Sequence, residues 1–230
     1  GYSRTGREFK DMKSEIILAL DVDSLAQAGY FARKLYPKIK IFKVGLRLYT
    51  AAGPKVLRLI RQRGGEIFLD LKLFDIPNTV AQAVREAVRH KIKMLTLHIS
   101  GGQEMLKAAV SAAKDEAKIL KIKRPLLVGV TVLTSQKTQP GQVLKLAKIG
   151  ISSGLDGVVC SAQEARLLRN RIKRKFIIVT PGIRPPGIKK NDQKRTATVK
   201  QAVQAGSNFL VIGRPILEAK DPLKALRSLQ

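Results

Sequence analysis

Cysteine, histidine, tryptophan and negative charge are all scarce in this chain. Its 230 residues hold one Cys, two His, no Trp, and 17 Asp+Glu against 44 Lys+Arg. A single Cys160 excludes an internal disulfide, and with only two histidines it excludes a Cys/His zinc cluster. Long apolar runs are missing as well. Ile16–Leu20 and Phe176–Val179 fall far short of the roughly 18 residues that a membrane span requires. No basic, apolar, small-residue leader marks the chain for secretion. The expectation is a cytoplasmic protein with no membrane attachment. Residues 1–11 are polar and precede Met12, which reads like a translation start. They are expected to be a leader (tag remnant, linker or native extension) ahead of one domain over residues 12–230.

The chain does have the material for a core: 44% hydrophobic residues, with 18 Gly and 10 Pro as punctuation. Short apolar runs alternate with stretches of helical period. Strands are expected at Ile16–Asp21, Ile39–Val44, Ile67–Lys72, Met94–Ile99, Leu126–Leu133, Gly157–Ser161, Phe176–Thr180 and Phe209–Ile212. The helices between and after them are Leu25–Tyr36, Ala51–Arg63, Asn78–His90, Gln103–Leu120, Gly141–Ser153, Ala162–Arg169, Thr198–Ala205 and Pro222–Leu229, with Ser24 as the first N-cap. Uninterrupted apolar strands belong to parallel sheets covered on both faces. Eight strand–helix units predict an α/β fold, a single-domain (β/α)8 TIM barrel, with an open doubly wound sheet as the alternative.

A barrel carries its chemistry at the C-terminal ends of its strands. Asp21 ends the first strand there, and Lys43 lies in the second, where an unpaired ammonium would be costly to bury. Asp70 and Lys72, two apart in the third strand, point to one face, and Asp75 follows. Alternating ammonium and carboxylate groups in a partly desolvated site fix charge and shift one another's pKa. Alone, the Asp-x-Lys-x-x-Asp string also fits an ion-pair lattice closing the barrel end. The loops after strands seven and eight, Thr180–Gly187 and Gly213-Arg214, suit a phosphate, because glycine admits backbone N–H groups and arginine clamps bidentately. His98 reads as a hydrogen-bonded structural histidine, His90 as a helix-end cation and Cys160 as a small buried hydrophobe.

Seven segments in order, from Ile16 to Ile216, resemble the orotidine 5'-phosphate decarboxylases. They are Ala19-Leu20-Asp21, Phe42-Lys43-Val44-Gly45, Asp70 through Asp75-Ile76-Pro77-Asn78-Thr79, Val130–Ser135, Thr180–Pro185, Asp192–Arg195 and Ile212–Ile216. Related sugar-phosphate decarboxylases share Asp-x-Lys-x-x-Asp without the Ile-Pro-Asn-Thr continuation. The resemblance implies decarboxylation of orotidine 5'-monophosphate to uridine 5'-monophosphate with no metal or cofactor. It implies Lys72 as the acid that protonates C6, Asp70 beside the substrate carboxylate, and Lys43 and Asp75 completing the charged array. Asp75 and Thr79 would reach a neighbouring subunit's site, hence a homodimer with shared active sites. Asp21 and Lys43 would contact the ribose, Thr134 the pyrimidine edge, and Arg184, Gln193, Gly213 and Arg214 the phosphate.

The formal charge of +27 is far more than one anionic substrate needs. The cations fall mostly on expected helix surfaces and turns, such as Arg58, Arg61, Arg85, Arg89, Lys114 and Lys118 and the Arg166–Lys175 stretch, with aromatics only 5%. That spread lacks the stacking face of a dedicated nucleic-acid reader. The alternative function is a cationic, possibly engineered, barrel scaffold that binds polyanions such as nucleic acid or forms an assembly.

Overall fold

The structure is a computed structural model that describes residues 14–133, 139–185 and 196–229. The leader, Thr134 and Gln193 lie outside the described residues. Eight parallel strands form a closed barrel in sequence order: β1 (Glu15–Ala19), β2 (Ile41–Gly45), β3 (Glu66–Leu73), β4 (Met94–His98), β5 (Leu126–Val130), β6 (Gly157–Val159), β7 (Ile177–Thr180) and β8 (Phe209–Ile212). β1 pairs with both β2 and β8, so the open-sheet alternative falls away.

The helices wrap the outside. They are α1 (Leu25–Leu35), α2 (Leu46–Ala52), α3 (Lys55–Gln62), α4 (Pro77–Arg89), α5 (Gly102–Ile119), α6 (Pro140–Ser152), α7 (Ala162–Arg171), α8 (Val199–Gln204), α9 (Arg214–Leu217) and α10 (Pro222–Leu229). Ser24 caps α1 by accepting from the Gln27 N–H. The helix expected at Ala51–Arg63 is two helices, α2 and α3. Gly53, at φ 57°, and Pro54 break it, since proline disfavours helical backbone in the residue before it. The fifth and sixth strands stop short of their expected ends, at Val130 and Val159. The short α9 after β8 was not expected.

Strand alternation sorts the core into two layers. Ile17, Ile41, Phe68, Met94, Val128, Ile177 and Phe209 fill the barrel interior. Leu18, Phe42, Leu69, Leu95, Leu127, Ile178 and Leu210 point outward under the helices. Continuing by twos along the inward face from this apolar plug leads from Ile41 to Lys43 and from Phe68 to Asp70. The interior therefore changes from hydrocarbon to charge at the C-terminal end. No helix among the described residues is long and apolar enough to cross a membrane.

Candidate active site

Asp70 is the hub of that end. Its side chain is 12% exposed, too little for water to satisfy a carboxylate, so protein donors must do so. Lys72 Nζ lies 2.9 Å from Asp70 Oδ1, and Lys43 Nζ lies 3.6 Å from Asp70 Oδ2 and 3.2 Å from Asp21 Oδ1. Thr96 Oγ1 donates to Asp70 Oδ1 at 3.0 Å. Burial pushes the Asp70 pKa up, but the two ammonium groups and the bonds from Lys72 and Thr96 outweigh it and hold the carboxyl below its ordinary value. The result is an ordered row, Asp21, Lys43, Asp70, Lys72, with alternating sign.

The backbone is shaped to make this row. β3 and β4 pair in register at Leu69↔Leu95, yet the next pair is Leu73↔Leu97, so β3 carries two extra residues over that interval. Within the bulge Lys72 takes a left-handed backbone, φ 51°, uncommon for any residue but glycine. Its N–H donates to Thr96 Oγ1 at 2.8 Å in place of a ladder carbonyl. Thr96 therefore does two things at once, accepting from the backbone of Lys72 and donating to Asp70. Sequence reasoning missed it. The available signal was a lone hydroxyl in Met94–His98 on the inward face, two residues after Met94.

Gly45 supplies the space for Lys43. It pairs with Asp70 across the ladder, and a Cβ built there would lie 3.0 Å from Lys43 Nζ. The β7 and β8 loops bring Gly182, Arg184, Gly213 and Arg214 to the same cavity, about 470 Å³, as Asp21, Lys43, Asp70 and Lys72. Gly213 backs directly onto β1, since a Cβ there would lie 3.4 Å from Ala19 Cβ and 3.5 Å from Asp21 Oδ2. Val130, Val159, Val179 and Val211 give the cavity an apolar lining beside these charged groups. Arg47 also reaches the cavity, paired with Asp23 at the rim. The geometry suits a ligand with an anionic end at the arginines and a reacting centre at Lys72.

Asp75 and Thr79 are not brought into this cavity. Both are exposed, Asp75 on the β3–α4 connection, where its Oδ1 accepts from the Ile76 N–H at 2.6 Å, and Thr79 in the first turn of α4. Asp75 is flanked by Phe74 and Ile76, 62% and 66% exposed. His98 packs its ring against Phe74 at 5.7 Å, and its Nδ1 is buried with no partner among the described residues, contrary to the hydrogen-bonded histidine expected. Burial, and next the Lys72 ammonium, lower its pKa. Cys160 is buried, as a small hydrophobe would be.

The comparisons with known proteins agree with one another. A family model described as the Orotidine 5'-phosphate decarboxylase / HUMPS family matches residues 14–229. The chain is 44% identical over 229 residues to the orotidine 5'-phosphate decarboxylase of Moorella thermoacetica, covering 94% of this chain and 91% of that one. It is also 44% identical over 226 residues to that of Vibrio campbellii, covering 94% and 95%. Among solved structures, the orotidine 5'-phosphate decarboxylase of Lactobacillus acidophilus superposes with a TM-score of 0.82 at 36% identity, covering 94% and 97%.

Proposed function

The chain belongs to the orotidine 5'-phosphate decarboxylase / HUMPS family, and from that premise we propose how its residues divide the work. The reaction is the decarboxylation of orotidine 5'-monophosphate to uridine 5'-monophosphate in pyrimidine biosynthesis. The observation that carries the assignment is Asp70 held between two ammonium groups, with Lys72 at the cavity wall.

The substrate carboxylate enters beside Asp70, and the C6–carboxylate bond breaks with its electron pair left on C6. The Lys72 ammonium stabilises that charge as it develops and then delivers a proton to C6, while carbon dioxide departs. Because the C6 charge exists only near the transition state, this interaction lowers the barrier rather than merely tightening binding. Asp70 positions Lys72 through the 2.9 Å contact and disfavours the ground state by facing a second carboxylate. Asp21 and Lys43 hold the ribose hydroxyls. Arg184, Gly213 and Arg214 take the phosphate together with Gln193, and Thr134 takes the pyrimidine edge. Phosphate binding far from C6 orients the ring and so contributes to turnover. These residues carry each step without a metal or cofactor. The enzyme is cytoplasmic, with one catalytic domain over residues 12–230. Weak, unspecific association with nucleic acid is a property of its cationic exterior.

The enzyme works as a homodimer, with Asp75 and Thr79 of each subunit completing the other's site. The support is Asp75's position outside its own cavity, between two large apolar side chains that water would otherwise meet. Mixing Lys72→Ala with Asp75→Asn subunits tests both claims. Each variant alone should be nearly inactive, and the heterodimer should regain activity because one of its two sites receives both intact residues. Verified subunit exchange without recovered activity would show that each chain builds its own site.

A further inference from the structure

The opposite, N-terminal end of the barrel holds a second recess of about 350 Å³, between the entries to β3, β4 and β5. Its walls carry Arg61, Lys91, Lys93, Lys123 and Arg124 against the single carboxylate of Glu66. Two of these cations are already engaged. Lys93 pairs with Glu66, and Arg124 grips Asp156 in a bidentate pair at 2.6 and 2.9 Å. Arg61, Lys91 and Lys123 have no carboxylate partner among the described residues, and all three are exposed. They come from three different segments: the last turn of α3, the loop after α4 and the loop after α5. Beneath them lie Ile92, Ile122 and Leu126, the first buried and the others half-buried.

The contrast with the catalytic cavity is chemical. There cations and carboxylates alternate, as a site must when it holds charge in place for a reaction. In this recess the uncommitted groups have one sign, and its carboxylate among the described residues, Glu66, is tied to Lys93. Such an arrangement binds and does not react. Three like charges held around one concavity repel one another, and an anion spanning them relieves that repulsion while gaining charge-assisted hydrogen bonds. A single phosphate brings at most about two negative charges to three cations and leaves the apolar floor uncovered. A chain of phosphates joined to a flat, partly apolar body satisfies both.

We infer that this recess is a second binding site for a nucleoside polyphosphate, with the phosphates on Arg61, Lys91 and Lys123 and the base on the floor of Ile92, Ile122 and Leu126. It is separated from the catalytic cavity by the apolar plug of the barrel, so the two sites fill independently.

Calorimetric titration of the full chain with ADP and with inorganic tripolyphosphate tests this. ADP should bind at least as tightly as the more highly charged tripolyphosphate, because only ADP covers the floor. The Arg61→Gln/Lys123→Gln double variant removes two exposed cations and should weaken both probes roughly tenfold or more. Arg214→Ala, in the catalytic cavity, should leave ADP binding unchanged. So should Lys114→Gln/Lys118→Gln, which removes the same charge from the outer surface of α5. Equal weakening by the α5 pair would overturn the site in favour of a diffuse field. Loss with Arg214→Ala would assign the binding to the catalytic cavity. Tighter binding of tripolyphosphate than of ADP would remove the base from the proposal. A 20-nucleotide RNA that binds through Arg61 and Lys123 while ADP does not would make the surface a nucleic-acid contact instead.

Discussion

Lys72 illustrates how much of this molecule is decided one residue at a time. A left-handed backbone on a residue with a Cβ costs of the order of 1–3 kcal/mol, and it persists only where the surroundings enforce it. Here Thr96 does the enforcing, through one bond to the Lys72 backbone and one to the Asp70 carboxylate. Thr96→Val keeps the shape and removes both bonds. It should lower stability by about 1–3 kcal/mol, because the Lys72 N–H is left unpaired. It should also reduce kcat by roughly tenfold or more with a smaller change in KM, since the row would be misplaced rather than unable to bind. Denaturant titration and steady-state assays read these two effects separately, and an unchanged kcat would remove Thr96 from the machinery.

His98 gives the pH counterpart. Burial and the Lys72 charge lower its pKa in the fold, so the unfolded chain takes up its proton first as pH falls. The stability tied to a neutral His98 is therefore complete above about pH 6.5, the unfolded value, and is lost as pH drops below it towards the folded value. His98→Leu should flatten the dependence of stability on pH in that window. An identical slope in the variant would show that His98 does not titrate with folding.

At the level of elements, tolerance is set by how closely neighbouring strands approach. A Cβ at Gly157 would lie 2.1 Å from the Ile177 carbonyl oxygen, which is backbone and cannot step aside without parting β6 from β7. Gly157→Ala should therefore cost about 3 kcal/mol or more, seen as a lower midpoint in denaturant. A midpoint like that of the parent would mean the pair has room to spare.

The elements are also where the sequence speaks most clearly. Apolar runs alternating with helical periods specify eight strand–helix units, and a spacing of two puts Asp70 and Lys72 on one face. What escapes such counting is anything that depends on partners distant in the chain. The two extra residues in β3 break the alternation locally, and the role of Thr96 exists only because β4 lies against that bulge. The split of α2 from α3 was written in Gly53-Pro54 but masked by the apolar period on either side. Arg169 lies within a basic stretch that reads as surface. In the fold it donates to the carbonyls of Phe176 and Gly206 and to Asn208, with its guanidinium 4.6 Å from the Phe176 ring centroid.

For the whole molecule, the excess charge and the catalytic charge obey different physics. Exposed cations act through solvent and are screened by salt, whereas Asp70 and Lys43 are largely buried and the row around them is paired at contact distance. Raising salt from about 50 to 200 mM should release most bound RNA, because condensed counterions drive that binding. Turnover at saturating substrate should barely change. Filter binding and a decarboxylation assay on the same samples check this, and RNA binding that survives high salt with a sequence preference would contradict a diffuse shell.

The barrel closes where β1 meets β8, with Glu15 donating to the Asn208 carbonyl and Ser14 to that of Ser207. Asp21 follows one strand and Gly213-Arg214 follows the other, so the seam runs through the catalytic mouth. Those two strands are nearly two hundred residues apart in the chain. Pairing over such a separation is late in folding, when the loop entropy of everything between has been overcome. A growing chain on the ribosome can assemble most of its sheet and helices while ribose and phosphate contacts still lie on unjoined edges. Until the seam forms, β1 offers an unpaired edge to any neighbour. Catalytic competence is thus a property of the finished ring, and it arrives in the same step that pairs the open strand edges of the nascent sheet.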